Sequence, residues 1–230
     1  MKNKISIALA VIVIAIGATP ASAGIQSEVS SWGLDRIDYN QTTETLDRSY
    51  DYPDTAGAGV RVYVMDTGVL GTVAGFGGRV LTGFDALAGV RTPHQANRDC
   101  NGHGTAVAGV IASANYGVAK SATIVPVRVA DCRGGVSPEA LLRGLDWIAK
   151  NHPRNTAGVV NISVAVAKSK AVDDAITRLY RLGLVSVVSA GNQNMDACRI
   201  SPAGASLALT VGSTNLSLIH ISEPTRLLSI

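Results

Sequence analysis

Val60-Arg61-Val62-Tyr63-Val64-Met65 runs directly into Asp66-Thr67-Gly68. β-Branched residues at alternate positions make the first six a strand, and the turn formers behind them stop it at Asp66. The same kind of text returns at Ala122–Val129, Val159–Val164, Leu184–Val188 and Leu207–Val211. Helical patterns lie between. Small residues run from His103 to about Ala112, with Ala106, Val107, Ala108 and Val110 among them. Ser137-Pro138-Glu139 opens a second helix with an N-cap serine, proline at the first helical position and an acid at the positive end of the dipole. Leu141, Leu142, Leu145, Ile148 and Ala149 then follow at helical spacing. Val172, Ala175, Ile176 and Leu179 mark a third helix, closed by Gly183. Strand and helix alternate, which predicts right-handed crossovers and one α/β domain: a parallel sheet with helices on both faces. Upstream, residues 24–58 are polar and turn-rich, and residues 67–102 read as a glycine-rich loop.

Composition narrows the function classes. Of 230 residues, 47% are hydrophobic and 16% charged, which excludes a disordered chain. The formal charge of +3 is too small for a nucleic-acid binder, which needs a concentrated basic patch. Beyond the N-terminus no stretch approaches the roughly 18 apolar residues of a membrane span.

The two ends are expected to stand outside the fold. Lys2 and Lys4, the apolar run Ile5–Ala18 and then Ala21-Ser22-Ala23 describe a secretory signal peptide, residues 1–23. A secreted, extracellular protein follows, with no membrane attachment after cleavage. At the other end, LSLIHISEPTR (Leu216–Arg226) has neither alternation nor helical period. Its back-translation resembles a common sequencing adapter, so residues 216–230 are expected to be a foreign tail and 24–215 a partial domain.

In parallel sheets, functional groups gather beyond the carboxyl ends of the strands. Asp66 ends the first strand, His103 opens a helix after a glycine-rich loop, and Asn192 follows the fourth strand. If they share one cleft, the chemistry is acyl transfer. A carboxylate on the histidine Nδ1–H fixes the tautomer, the free Nε2 acts as general base, and the amide donates to the oxyanion. A nucleotide-binding reading fails, because Gly57 and Gly59 precede the strand instead of following it.

V-M-D-T-G-V, N-G-H-G-T-x-V-A-G and A-G-N resemble the leading motifs of subtilisin-like serine proteases, the S8 peptidase family, from about Trp32 to Asn215. D-C-N-G-H-G-T and D-A-C-x-x-S-P-A look closest to its proteinase K and aqualysin-like branch. The resemblance implies a three-layer α/β/α fold, incomplete here at the C-terminus, and a monomeric endopeptidase acting on polypeptide substrates. Matched by motif, Asp66 orients, His103 is the base and Asn192 is the oxyanion donor. The substrate backbone would lie between Gly134-Gly135-Val136 and Ser163-Val164-Ala165, with Ala190 and Gly191 lining the pocket before the scissile bond. Cys100 and Cys132 match a pair bridged in that branch, and Cys198 would pair further downstream.

The departures matter too. The family's nucleophile sits in a G-T-S-[MA]-A segment, and none occurs in these 230 residues. The chain as it stands is therefore expected to be inactive. The alternative is a non-catalytic, secreted pseudoprotease that binds peptides. Ala165 brings a Cβ where the family's S-L-G-G has glycine, and Val136 adds bulk opposite. Only a short stretch separates Ala23 from Val60, too little for the usual prodomain. No C-x-x-C or H-E-x-x-H spacing suggests zinc. Calcium is common in the family, at carbonyls matching Ser206 and Ala208 plus a downstream carboxylate. Neither an intact metal site nor any cofactor is expected here.

Overall fold

The computed structural model describes residues 23–38, 46–87 and 96–215. Apart from Ala23, the expected signal peptide lies outside the described residues, as does the expected tail 216–230.

In chain order the strands are β1 (Ala23–Ser27), β2 (Ser49–Pro53), β3 (Val60–Asp66), β4 (Phe84–Asp85), β5 (Thr123–Arg128), β6 (Ala157–Ile162), β7 (Val166–Ala167), β8 (Val185–Ser189), β9 (Ile200–Ser201) and β10 (Ala208–Val211). The helices are α1 (Trp32–Ile37), α2 (His103–Ala112), α3 (Pro138–Asn151) and α4 (Lys170–Arg181). Six strands make one parallel sheet in the order β10-β8-β6-β3-β5-β4. The chain crosses from β3 to β5 through α2, then returns past β3 to β6 through α3. The strand order therefore reverses beside β3, the place where open α/β sheets carry their crevice.

Alternation along β3 sorts the layers. Val62 and Val64 pack with Ala108 and Ala112 of α2, with Phe76 and with Ile124. Tyr63 and Met65 face the other way, into the core of Leu141, Leu145 and Ile148 from α3 and Ile176 and Leu179 from α4. Asp66 continues the parity of Val62 and Val64, so it points to the α2 face. This places its carboxylate at the helix that His103 begins.

The helix ends follow the sequence signals. Ser137 Oγ accepts from Ala140 N at 3.2 Å, with Pro138 at the first helical position. Gly183, in the left-handed region at φ +82°, ends α4, and its N–H donates to Tyr180 O.

Two differences from the sequence reading have physical causes. Residues 24–58 are not merely turns: β1 and β2 pair as an antiparallel ribbon with α1 between them. Val29, Leu34 and Tyr50 form its small core, too few apolar residues to show a period. β6 ends at Ile162, two residues before the expected Val164, because its pairing with β3 and β8 ends there, within one residue of the ends of those strands. Ser163 and Val164 therefore project past the sheet's carboxyl edge. The glycine-rich stretch 67–102 also contains β4 and a 3-10 turn, Ala74–Phe76.

The α2 face is covered unevenly. Register carries the parity of Val62 through Val159 to Val185 and that of Val64 through Asn161 and Val187 to Leu209. Val185, Leu209 and Val211 are all exposed, and among the described residues no helix lies over them. Their neighbours on the opposite face, Ser186, Val188 and Ala208, are buried.

Candidate active site

Asp66 is fully buried at the end of β3, and His103 is the first residue of α2. His103 Nδ1 lies 2.7 Å from Asp66 Oδ1, which also accepts from Thr67 N at 2.7 Å. A carboxylate oxygen can only accept, so Nδ1 carries the proton and Nε2 is left as the basic nitrogen. The imidazole is half exposed while its partner is dry. Asp66 Oδ2 is buried without a hydrogen-bond partner among the described residues.

The pair depends on a close approach of backbones. A Cβ on Gly104 would stand 2.1 Å from Gly68 O and 3.0 Å from Asp66 Cβ. Only glycine lets the first turn of α2 come this near to β3. Gly102, at φ +97°, turns the chain into the helix but supplies no side-chain cap. Other side chains satisfy the first N–H groups: Asn101 Oδ1 accepts from His103 N at 3.2 Å, Thr67 Oγ1 from Gly104 N at 3.0 Å, and Asp99 Oδ2 from Thr105 N at 2.9 Å.

Asp99 is the most heavily hydrogen-bonded acid here. Partial burial alone would raise its pKa. Donation from the Thr105 hydroxyl, the Gly102 and Thr105 amides and the Thr67 hydroxyl outweighs that and holds the carboxyl at about 2.

Beside His103 opens a cleft of about 290 Å³, lined by Thr67, Asn101, His103, Gly134, Val136, Ser163, Val164, Ala165, Ser189, Gly191, Asn192 and Gln193. One wall is the turn 131–136. Asp131 Oδ1 accepts from Arg133 N and Gly135 N, and a bridge joins Ala130 to Val136. The Gly135 and Arg133 amides hold the Asp131 carboxyl below the usual range. The opposite wall is the run past β6, where Val164 and Ala165 pack on the core and line the cleft together. Cys100 and Cys132 form a disulfide, and Asn101 Nδ2 donates to Cys132 O at 3.1 Å. The turn is thereby fastened to the loop that leads into α2.

The structure thus brings Asp66, His103, Asn192, Gly134, Val136, Ser163, Val164, Ala165 and Gly191 to one place. Two expected lining residues do not reach the cleft. Gly135 turns away toward Asp131. Ala190 is buried behind the wall, its N–H donating to Val211 O at 2.8 Å. Thr67, Asn101, Ser189 and Gln193 line the cleft unforeseen. Thr67 and Asn101 flank the motif residues in the sequence, which was the available signal. Asn192 is exposed, and its own N–H donates to Gln193 Oε1 at 2.9 Å. Cys198 is a free, exposed thiol. Among the described residues no three His, Cys, Asp or Glu side chains converge on a metal position. No described helix is long and apolar enough to cross a membrane.

A buried acid on the imidazole of a helix-opening histidine, beside a cleft of about 290 Å³ at the sheet's switch point, is the acid–base arrangement of a serine protease. The profile of the subtilase family, peptidase S8, matches residues 57–223, and the chain belongs to that family of serine endopeptidases. An extracellular serine proteinase of Thermus sp. (strain Rt41A) is 48% identical over 185 residues, covering 80% of this chain and 43% of the relative. Alkaline serine exoprotease A of Vibrio alginolyticus is 42% identical over 193 residues, covering 84% of this chain and 34% of that protein. The chain thus spans less than half the length of these curated relatives. The crystal structure of a cold adapted subtilisin-like serine proteinase superposes with a TM-score of 0.74 at 41% identity, over 83% of this chain and 66% of that one.

Proposed function

We propose that these residues carry the acid–base half of a secreted serine endopeptidase, which cleaves polypeptides by acyl transfer. Asp66 orients His103, and His103 Nε2 takes the proton of an attacking serine and returns it to the leaving amine. Asn192 donates to the oxyanion. The substrate chain lies extended between Gly134–Val136 and Ser163–Ala165, with Gly191 beside the residue before the scissile bond. The observation that carries this reading is the 2.7 Å contact between buried Asp66 and His103 at the mouth of that cleft. The whole enzyme works as a monomer outside the cell, without nucleic acid or membrane.

No segment of the G-T-S-[MA]-A type occurs in the 230 residues, so by themselves they are inert. In subtilisin, loss of the serine or of the histidine costs about 2 × 10⁶ in kcat. The test is to sequence the parent locus past the codon for Asn215 and assay the complete reading frame on a peptide substrate. The complete protein should hydrolyse the peptide and react with a fluorophosphonate, and His103→Ala should abolish turnover. A complete frame without hydrolysis would overturn the reading. A second reading, a non-catalytic peptide-binding relative, is favoured by the Cβ of Ala165 in the cleft wall. It requires a native stop near Asn215 and saturable peptide binding.

A further inference from the structure

Asp99 is the centre of a closed cross-tie between β3 and α2. Its Oδ1 accepts from Thr67 Oγ1 at 2.8 Å and Gly102 N at 2.8 Å, and its Oδ2 from Thr105 Oγ1 at 2.6 Å. Because both hydroxyl protons are spent on Asp99, both hydroxyl oxygens are free to accept. Thr67 Oγ1, just after β3, accepts from Gly104 N in α2. Thr105 Oγ1, in α2, accepts from Leu70 N in the loop after β3 at 2.9 Å. Two links therefore run in opposite directions between the same two elements, and both are polarised by one carboxylate. They flank the Asp66–His103 contact, whose two residues sit on those elements one step away from Thr67 and from Gly104.

We propose that Asp99 is a positioning residue: by fixing the direction of the Thr67 and Thr105 hydroxyls, it holds the His103 imidazole on Asp66 in the productive tautomer. The idea rests on the protease reading above for its purpose, though not for its geometry. An amide in place of the carboxylate keeps the shape but reverses the polarity of one oxygen. An –NH2 facing Thr105 would meet a hydroxyl and an amide that both need an acceptor. A carboxylate close to the first amides of α2 also favours the helix electrostatically; neutral Asn loses that charge effect but keeps a capping acceptor. A capping role alone therefore does not predict the sensitivity of the imidazole.

The readout is the Nδ1 proton of His103, followed in proton–nitrogen correlation spectra of the full chain. The unsubstituted chain should show a protected Nδ1–H. In Asp99→Asn and in Thr67→Val its exchange should accelerate roughly 10-fold or more, the scale of one charge-assisted hydrogen bond. Thr67→Ser, which keeps the hydroxyl, should restore protection, and the amides of β6, α3 and α4 should stay unmoved. If Asp99→Asn loses its dispersed amide spectrum, Thr67→Val and Thr67→Ser decide the matter. Equal protection in the unsubstituted chain, Asp99→Asn and Thr67→Val overturns the proposal. So does a Thr67→Ser chain that behaves as Thr67→Val. Failure of the protease reading looks different: the Nδ1 proton would respond as described, and the complete reading frame would still cleave no peptide.

Discussion

The two halves of the α2 face of the sheet carry the same strand chemistry and opposite burial. Val62 and Val64 on β3 are 6% and 0% exposed, whereas Leu209 and Val211 on β10 are 42% and 48% exposed. In both places the positions that face α2's side of the sheet are Val or Leu at every second residue. What differs is the cover: α2 and the turn carrying Phe76 lie over β3 and β5, and on this face no described helix lies over β8 and β10. Alternation thus encodes that a strand has an inside, and a neighbouring element decides whether the inside is filled. The candidate site lies between the two halves, with Asp66 and His103 on the covered side and Asn192 after β8.

The sharpest way to break this contrast is to empty the covered half. Phe76 is almost wholly buried among Ala108, Ala112 and Ile124. Phe76→Ala is expected to cost about 3–5 kcal/mol by removing a buried ring and leaving a cavity. Urea unfolding measures it. A loss below about 1 kcal/mol, the cost of an unremarkable substitution, would mean that α2 does not seal this half. Gly104→Ala comes next. Its methyl would overlap Gly68 O, so β3 and α2 must part, at about 1–3 kcal/mol for forced overpacking. The same variant should lose the protected His103 Nδ1 proton, and a retained proton would show that the backbones yield elsewhere.

The covered half was also the more legible one. The strand ending at Asp66 and the helix opening at His103 were readable because β-branched alternation, turn residues and flanking glycines all agree there. The parity that turns Asp66 toward α2 needs only a period of two. The Asp99 cross-tie was not readable. Its partners, Thr67, Gly102 and Thr105, belong to two elements, and which lone pair each hydroxyl uses is set only when those elements meet. The 24–58 region was missed for another reason, since its core is only Val29, Leu34 and Tyr50. The sequence pattern overextends β6 because Val164 is as apolar as a strand residue, while strand length is fixed by pairing partners.

Acid should expose the covered half through Asp99. Its carboxyl is lowered from 3.8 to about 2 by folding. The stabilisation is therefore present in full above about pH 4 and is lost as pH falls toward 2. At about 1.36 kcal/mol per unit the ceiling is roughly 2 kcal/mol, and partial exposure reduces it to about 1–2. Thermal unfolding of the unsubstituted chain and of Asp99→Asn should converge across that window, with the variant showing the flatter acid limb. Parallel curves at every pH would remove Asp99 from the account.

The smallest effect on stability belongs to the uncovered half, and it sharpens the contrast most. Leu209 and Val211 have little packing to lose, so Leu209→Lys and Val211→Lys should each shift stability by no more than about 0.5 kcal/mol. Their effect on association should be large by comparison. An apolar sheet face reaching an edge strand attracts other apolar surfaces and offers unpaired backbone groups beside them. Sedimentation velocity of the 230-residue chain should therefore show mass growing with concentration, and the double lysine variant should suppress that growth without changing the urea midpoint. If the unsubstituted chain sediments as a monomer throughout, exposure at Leu209 and Val211 has no energetic consequence. If the lysines instead unfold the sheet, those side chains are packed, and the two halves of the face are alike after all.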